Sequence, residues 1–221
     1  MMIPKIIHRA IPDKTTTLMD HCWNSVLKFT PEWEHLTHFD HDKYSIIKDH
    51  LPLCSTGAFR ADLIRLEALY IHGGIYLDSD VELFRPIDSI LNNSVFTVRE
   101  DSRVLGNSIL GAEPGNKFIE EALKLSMHIV ENNLFSKDEP WLINEELGSE
   151  GMGLAFGPYV ISKLAKDYND LTILETKTFF PYLYYEKHRF GEDFTQDNEV
   201  FGAHHWAGSW LPAMSVIEGE I

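Results

Sequence analysis

The junction at residues 59–84 constrains the fold most. Phe59, Leu63, Leu66, Leu69 and Tyr70 recur at helical spacing up to His72, which makes a helix with one buried face. Gly73-Gly74 then supplies a stop that residues with a Cβ resist, and Ile75 to Phe84 alternates as a strand. A helix passing straight into a strand points to alternating α/β units. The remaining pattern agrees. Ile3 to Ile7 reads as a first buried strand, 15–29 as a helix, and 43–50 as a helix stopped by Pro52. Strands are expected near 95–99, 108–112 and 171–175, and helices near 116–132 and 158–167. The expected fold class is α/β with an open sheet. No repeat or linker divides residues 1–221, so one domain is expected.

A formal net charge of -15, from 34 acidic and 19 basic side chains, argues against nucleic acid as a partner. Cys22 and Cys54 are too few for a disulfide framework and read as two buried thiols. The apolar start at Met1 to Ile7 is too short for a signal segment, and no stretch reaches membrane-spanning length, so a cytoplasmic protein is expected.

In a continuous strand Tyr76, Asp78 and Asp80 share one face. Two carboxylates about 6 to 7 Å apart repel unless a cation or donor groups separate them, and a hard divalent ion would also bridge to phosphate. Removing one of the pair should then relieve strain in the metal-free protein. A calcium loop counted from Asp78 fails, because its sixth position is Leu83 and its twelfth is Ser89. On the preceding helix Asp62 and Arg65 project together from the apolar arc, either as a mutual ion pair or toward a polar ligand. His35, His38 and His41 share i, i+3 spacing, but no accompanying motif makes them a zinc site.

Several blocks occur in order: Ile3-Pro4-Lys5-Ile6-Ile7-His8, Arg60-Ala61-Asp62-Leu63-Ile64-Arg65, and Gly73-Gly74-Ile75-Tyr76-Leu77-Asp78-Ser79-Asp80. Asn107-Ser108-Ile109-Leu110-Gly111-Ala112, Gly157-Pro158 and His204-His205-Trp206-Ala207-Gly208-Ser209-Trp210 follow. Together they resemble the family 32 glycosyltransferases, a group containing yeast-type initiating mannosyltransferases and bacterial capsular sugar transferases, and distantly similar to the glucosylating toxins. The resemblance implies a GT-A fold: a Rossmann-like nucleotide-binding half with a mixed, mostly parallel open sheet flanked by helices. It implies transfer from a UDP- or GDP-sugar with retention of configuration.

By the same resemblance, Asp80 would ligate Mn2+ or Mg2+, and Asp78 would contact the donor and reach the metal partly through water. Asp62 and Arg65 would hold the donor sugar, Tyr76 would line its site, and Asn107 would lie beside it. His8 and Ile11 would lie at the nucleotide, with Ile11 where the family often carries Trp. The implied acceptor is a saccharide or a lipid-linked molecule, with peripheral membrane contact.

The C-terminal block adds His204 as a metal ligand, with Ser209 and Trp210 at the oxygen shell and the phosphates. It is expected to close over bound donor, so that a chain cut after Gly202 keeps its fold. Asn144 or Glu145 would touch the acceptor unless that stretch is a solvated loop. Two other functions fit the motifs: a nucleotide-sugar pyrophosphatase, and a sugar- or calcium-binding module without turnover.

Overall fold

A computed structural model of the chain describes residues 2–135, 143 and 155–207. In chain order the elements are β1 (Ile6–Ala10), α1 (Thr17–Phe29), β2 (Glu34–His38), α2 (Gly57–His72), β3 (Gly74–Leu77), β4 (Val81–Leu83), β5 (Val95–Arg99) and β6 (Leu105–Ala112). They continue with α3 (Lys117–Glu131), α4 (Phe156–Leu164), β7 (Thr172–Leu174) and β8 (Gly202–His204). One sheet has the order β2-β1-β3-β6-β5-β7. β1 is parallel to β2 and β3, β5 is parallel to β7, and β6 runs against both of its neighbours. All strands but β6 therefore share one direction, giving the mixed, mostly parallel sheet expected.

Strand alternation feeds a core on each face. Tyr76, Leu110 and Val95 meet Leu63, Leu66, Phe118, Ala122 and Val160 of α2, α3 and α4. Ile75, Leu77, Ile109 and Phe96 meet Val26 of α1, Val81 and Leu83 of β4, and Phe179 and Phe180. Each such buried side chain contributes about 1.5–3 kcal/mol. Thr16 and Thr56 cap α1 and α2, accepting from the backbone N–H of Met19 and Phe59. The glycine stop is obligatory: Gly73 and Gly74 have φ of 65° and 101°, and a Cβ on Gly74 would lie 2.6 Å from the Ile6 carbonyl oxygen.

Three expected elements differ. The first strand is Ile6–Ala10, because Pro4 cannot donate and the Ile3 N–H bonds to Leu91 O outside the sheet. Residues 43–50 form no α-helix. The buried carboxylate of Glu67 on α2 takes the backbone N–H groups of Ser45, Ile46 and Ile47, so a side chain satisfies donors that a helix would have used. Pro52 does not end a helix there but sits inside the short 3-10 turn Leu51–Leu53. Finally, Ile75 to Phe84 is not one strand. β3 ends at Leu77, Asp78 to Val81 turns with the Val81 N–H on Asp78 O at 3.0 Å, and β4 joins β8 in a separate two-stranded sheet.

Candidate active site

β1, β3 and β5 run together, so their C-terminal ends share one edge of the sheet, where open α/β sheets hold ligands. Asp78 leaves β3 at that edge with its N–H on Ser108 O at 2.8 Å. The adjoining start of β6 carries Asn107, α2 presents Asp62 and Arg65, and β8 brings His204 opposite Val81.

Arg65 is the hub. Its side chain is 4% exposed, and one terminal nitrogen lies 3.0 Å from Asp62 and 3.1 Å from Asp78. The other terminal nitrogen donates to the Asn107 carbonyl, Nε donates to Ala61 O at 3.3 Å, and the guanidinium stacks 4.5 Å above the Tyr76 ring. Asn107 Nδ2 donates to Asp62 at 2.7 Å, and the Gly157 backbone N–H adds another donor. Burial raises the Asp62 pKa to about 6, against the opposing effects of Arg65 and Asn107. Arg65 therefore directs most of its donors to the protein itself. The ion-pair alternative is realised and extended to Asp78.

Asp78, Asp80 and His204 offer ligand atoms that all lie within 4.8 Å of one another, and among the described residues they form the cluster able to hold a metal ion. Two carboxylates and an imidazole suit Mn2+, and with more oxygen from a ligand, Mg2+. The expected repulsion is met only in part without an ion, since burial and the neighbouring Asp80 charge still raise the Asp78 pKa against Arg65. Asp78 has Arg65; Asp80 has His204 Nε2 at 3.2 Å and the Ala207 N–H at 2.9 Å. Burial opposes ionisation of Asp80, yet His204 and the donated N–H bonds hold its pKa well below the carboxylate range. Burial likewise disfavours charged His204, and Asp80 overcomes it, raising the imidazole pKa.

Other expected residues fall elsewhere. Tyr76 is fully buried and supports Arg65 from beneath rather than lining the site. His8 is also fully buried, donating from Nε2 to Gly73 O at 2.8 Å with Nδ1 on His38 Nε2 at 2.9 Å. Burial pushes its pKa down to about 4, and no nitrogen is left for a nucleotide. Ile11, half-buried just beyond β1, remains at the ligand edge. His35, His38 and His41 bond separately to Thr30, His8 and Asp13, so they share no site. Cys22 and Cys54 are free and buried, as expected. Asn144, Glu145, Ser209 and Trp210 lie outside the described residues. The preceding part of the C-terminal block is built into the fold. Ala203 is fully buried in β8, the His205 N–H bonds Asp80 O, and Trp206 Nε1 donates to Tyr182 O at 3.1 Å. A cut after Gly202 would remove these contacts, so the expectation that such a chain keeps its fold is corrected.

Sequence reading passed over two charged groups near the cluster. Glu100 follows β5 at the ligand edge, a position that could have flagged it. Lys187 comes from the distant 3-10 segment Tyr184–Arg189; its ammonium lies 5.9 Å over the Tyr184 ring and, among the described residues, has no hydrogen-bond partner. The role of Gly157 was also invisible. A Cβ there would lie 1.7 Å from Asn107 Nδ2 and 2.7 Å from Asp62 Oδ1. Gly157→Ala is therefore expected to displace both side chains and cut turnover by about tenfold or more, with the far-ultraviolet circular dichroism spectrum retained. Unchanged kinetics would contradict this packing.

Residues 13–97 match the family described as the glycosyltransferase sugar-binding region containing a DXD motif, a span that includes Asp62, Arg65, Asp78 and Asp80. Inositol phosphoceramide mannosyltransferase 2 of Schizosaccharomyces pombe is 30% identical over 178 residues, covering 76% of this chain and 47% of the relative. Mannosyl phosphorylinositol ceramide synthase SUR1 of Saccharomyces cerevisiae is 30% identical over 138 residues, 58% of this chain and 35% of the relative. The chain thus spans less than half the length of these curated relatives. Among solved structures, the PaToxG glycosyltransferase superposes with a TM-score of 0.56 at 16% identity, covering 75% of this chain and 70% of the other. GlyE of Streptococcus pneumoniae gives 0.54 at 12% identity, covering 92% and 54%. These two likenesses concern the fold alone, and the fold is GT-A. Motif, relatives and architecture agree, and residues 13–97 belong to the DXD-containing sugar-binding region of the glycosyltransferases.

Proposed function

We propose that the chain is a metal-dependent glycosyltransferase that moves a hexose from a UDP- or GDP-sugar to a hydroxyl of a saccharide or lipid-linked acceptor, with retention. The carrying observation is the Asp78, Asp80 and His204 cluster, locked through Arg65 to Asp62 and Asn107 at the ligand edge of the sheet. The names of the yeast relatives favour mannose and a lipid-linked acceptor. No described helix is long and apolar enough to cross a membrane.

Asp78, Asp80 and His204 would hold Mn2+ or Mg2+, which supplies positive charge against the departing diphosphate. Asp62, fixed by Arg65, Asn107 and Gly157, presents its free oxygen capacity to sugar hydroxyls. Asp78, whose side chain is 26% exposed, also faces the donor. Arg65 acts by positioning both carboxylates. No side chain is assigned as a covalent nucleophile, so the acceptor hydroxyl attacks from the face the diphosphate leaves.

Lys187 supplies a second cation. Burial lowers its pKa while Asp80 opposes the fall, and among the described residues its ammonium lacks a hydrogen-bond partner, which an anionic phosphate oxygen would provide. Lys187→Met is expected to weaken UDP or GDP binding about tenfold, measured by titration calorimetry with Mn2+ present. Unaltered affinity would remove Lys187 from the site.

Labelled UDP- and GDP-sugars incubated with Mn2+ and no acceptor test the reaction. Slow release of free sugar and nucleoside diphosphate is expected. Sugar phosphate would reveal a pyrophosphatase, and intact donor a binding module.

A further inference from the structure

Along the ligand edge the strands follow one another as β1, β3, β6 and β5, spaced about 4.8 Å apart. Ile11 follows β1, the metal cluster begins after β3, Asn107 lies on β6, and Glu100 follows β5. Glu100 is thus beyond the cluster on the side opposite the proposed nucleotide end. Its backbone N–H is tied to Val104 O at 2.9 Å, but among the described residues no donor reaches its carboxylate. Its side chain packs beside Gly106: Glu100 Oε2 lies 3.5 Å and Phe180 Cζ 3.3 Å from where a Gly106 Cβ would stand, and Phe180 in turn edges His204. Burial raises the Glu100 pKa against the opposing effect of His204. The half-buried carboxylate keeps its acceptor capacity open at the ligand edge, where a hydroxyl of a bound molecule can donate to it.

Resting on the transferase reading above, we propose that Glu100 is an acceptor-side binding residue, accepting a hydrogen bond from a hydroxyl of the incoming acceptor. On that reading Asp62, hydrogen-bonded to Asn107, serves the donor hydroxyls, and Glu100 at the end of β5 is left for the attacking molecule.

The test uses Glu100→Gln and Glu100→Ala in the full chain. UDP-glucose and GDP-mannose serve as donor probes with Mn2+, and methyl α-mannoside, myo-inositol and glycerol as acceptor probes. The ratio of transfer to hydrolysis is expected to fall about tenfold or more in Glu100→Ala and less in Glu100→Gln, whose amide oxygen still accepts. The acceptor KM should rise while the donor KM and Mn2+ affinity stay within about twofold. An unchanged ratio overturns the proposal. So does a tenfold loss of Mn2+ affinity, which would make Glu100 a metal ligand, or a shift confined to the donor KM. If the unaltered chain neither hydrolyses nor transfers any probe, the transferase reading itself fails and takes the role of Glu100 with it.

Discussion

Asp80→Asn is expected to reduce Mn2+-dependent donor turnover by more than about a hundredfold, because it removes the charge of the carboxylate facing His204 in the cluster. It should also destabilise the metal-free protein by about 1–3 kcal/mol, since His204 would lose its counter-charge in a site where both side chains are nearly buried. The folded-state pKa of Asp80 lies below its ordinary value. Its stabilisation is therefore present at neutral pH and lost as pH falls below about 4 toward the folded pKa, a loss the Asn variant should lack. Urea unfolding across that range reads this difference, and identical acid profiles for the two proteins would count against the Asp80–His204 pair.

Arg65→Lys is the second large effect. The guanidinium reaches Asp62, Asp78, Asn107 O and Ala61 O at once from a nearly inaccessible position, and a single ammonium cannot reproduce that fork. At least one buried carboxylate would lose its partner, which costs about 3–5 kcal/mol. Asp62 and Asp78 would also drift from their placement, and turnover should drop by more than about a hundredfold. Thermal unfolding and single-turnover rates read both effects. A rate within about threefold of the unaltered chain, under 1 kcal/mol of barrier, would show that Arg65 does not position the site.

The fold was legible where its causes are local. Apolar spacing and Gly73-Gly74 mark α2 and β3 without help from distant residues, and the same holds for α1, α3 and β5. It was illegible where a remote side chain decides. Residues 43–50 look helical by composition, but Glu67, about 20 residues away, takes their N–H groups. The strand through Asp78 breaks because β4 pairs with β8 near the other end of the chain.

The site divides the same way. Asp62, Arg65, Asp78, Asp80, Asn107 and His204 were all named from sequence, yet their division of labour was not. That Arg65 is anchored to the backbone as well as to two carboxylates depends on Asn107 O and Ala61 O, which no spacing reveals. His8 carried a recognisable block, but His38 and Gly73 O occupy its nitrogens. Glu100 and Lys187 come within electrostatic range of the cluster only through tertiary packing.

The central claim is that Asp78, Asp80 and His204 together hold the divalent ion that serves a nucleotide-sugar donor. Crystals soaked with Mn2+ and UDP or GDP, with diffraction recorded at the manganese edge, test it most directly. An anomalous peak within ligand distance of all three side chains, about 2 to 2.3 Å, is the predicted result. A peak seated elsewhere, or none with nucleotide bound, would contradict it.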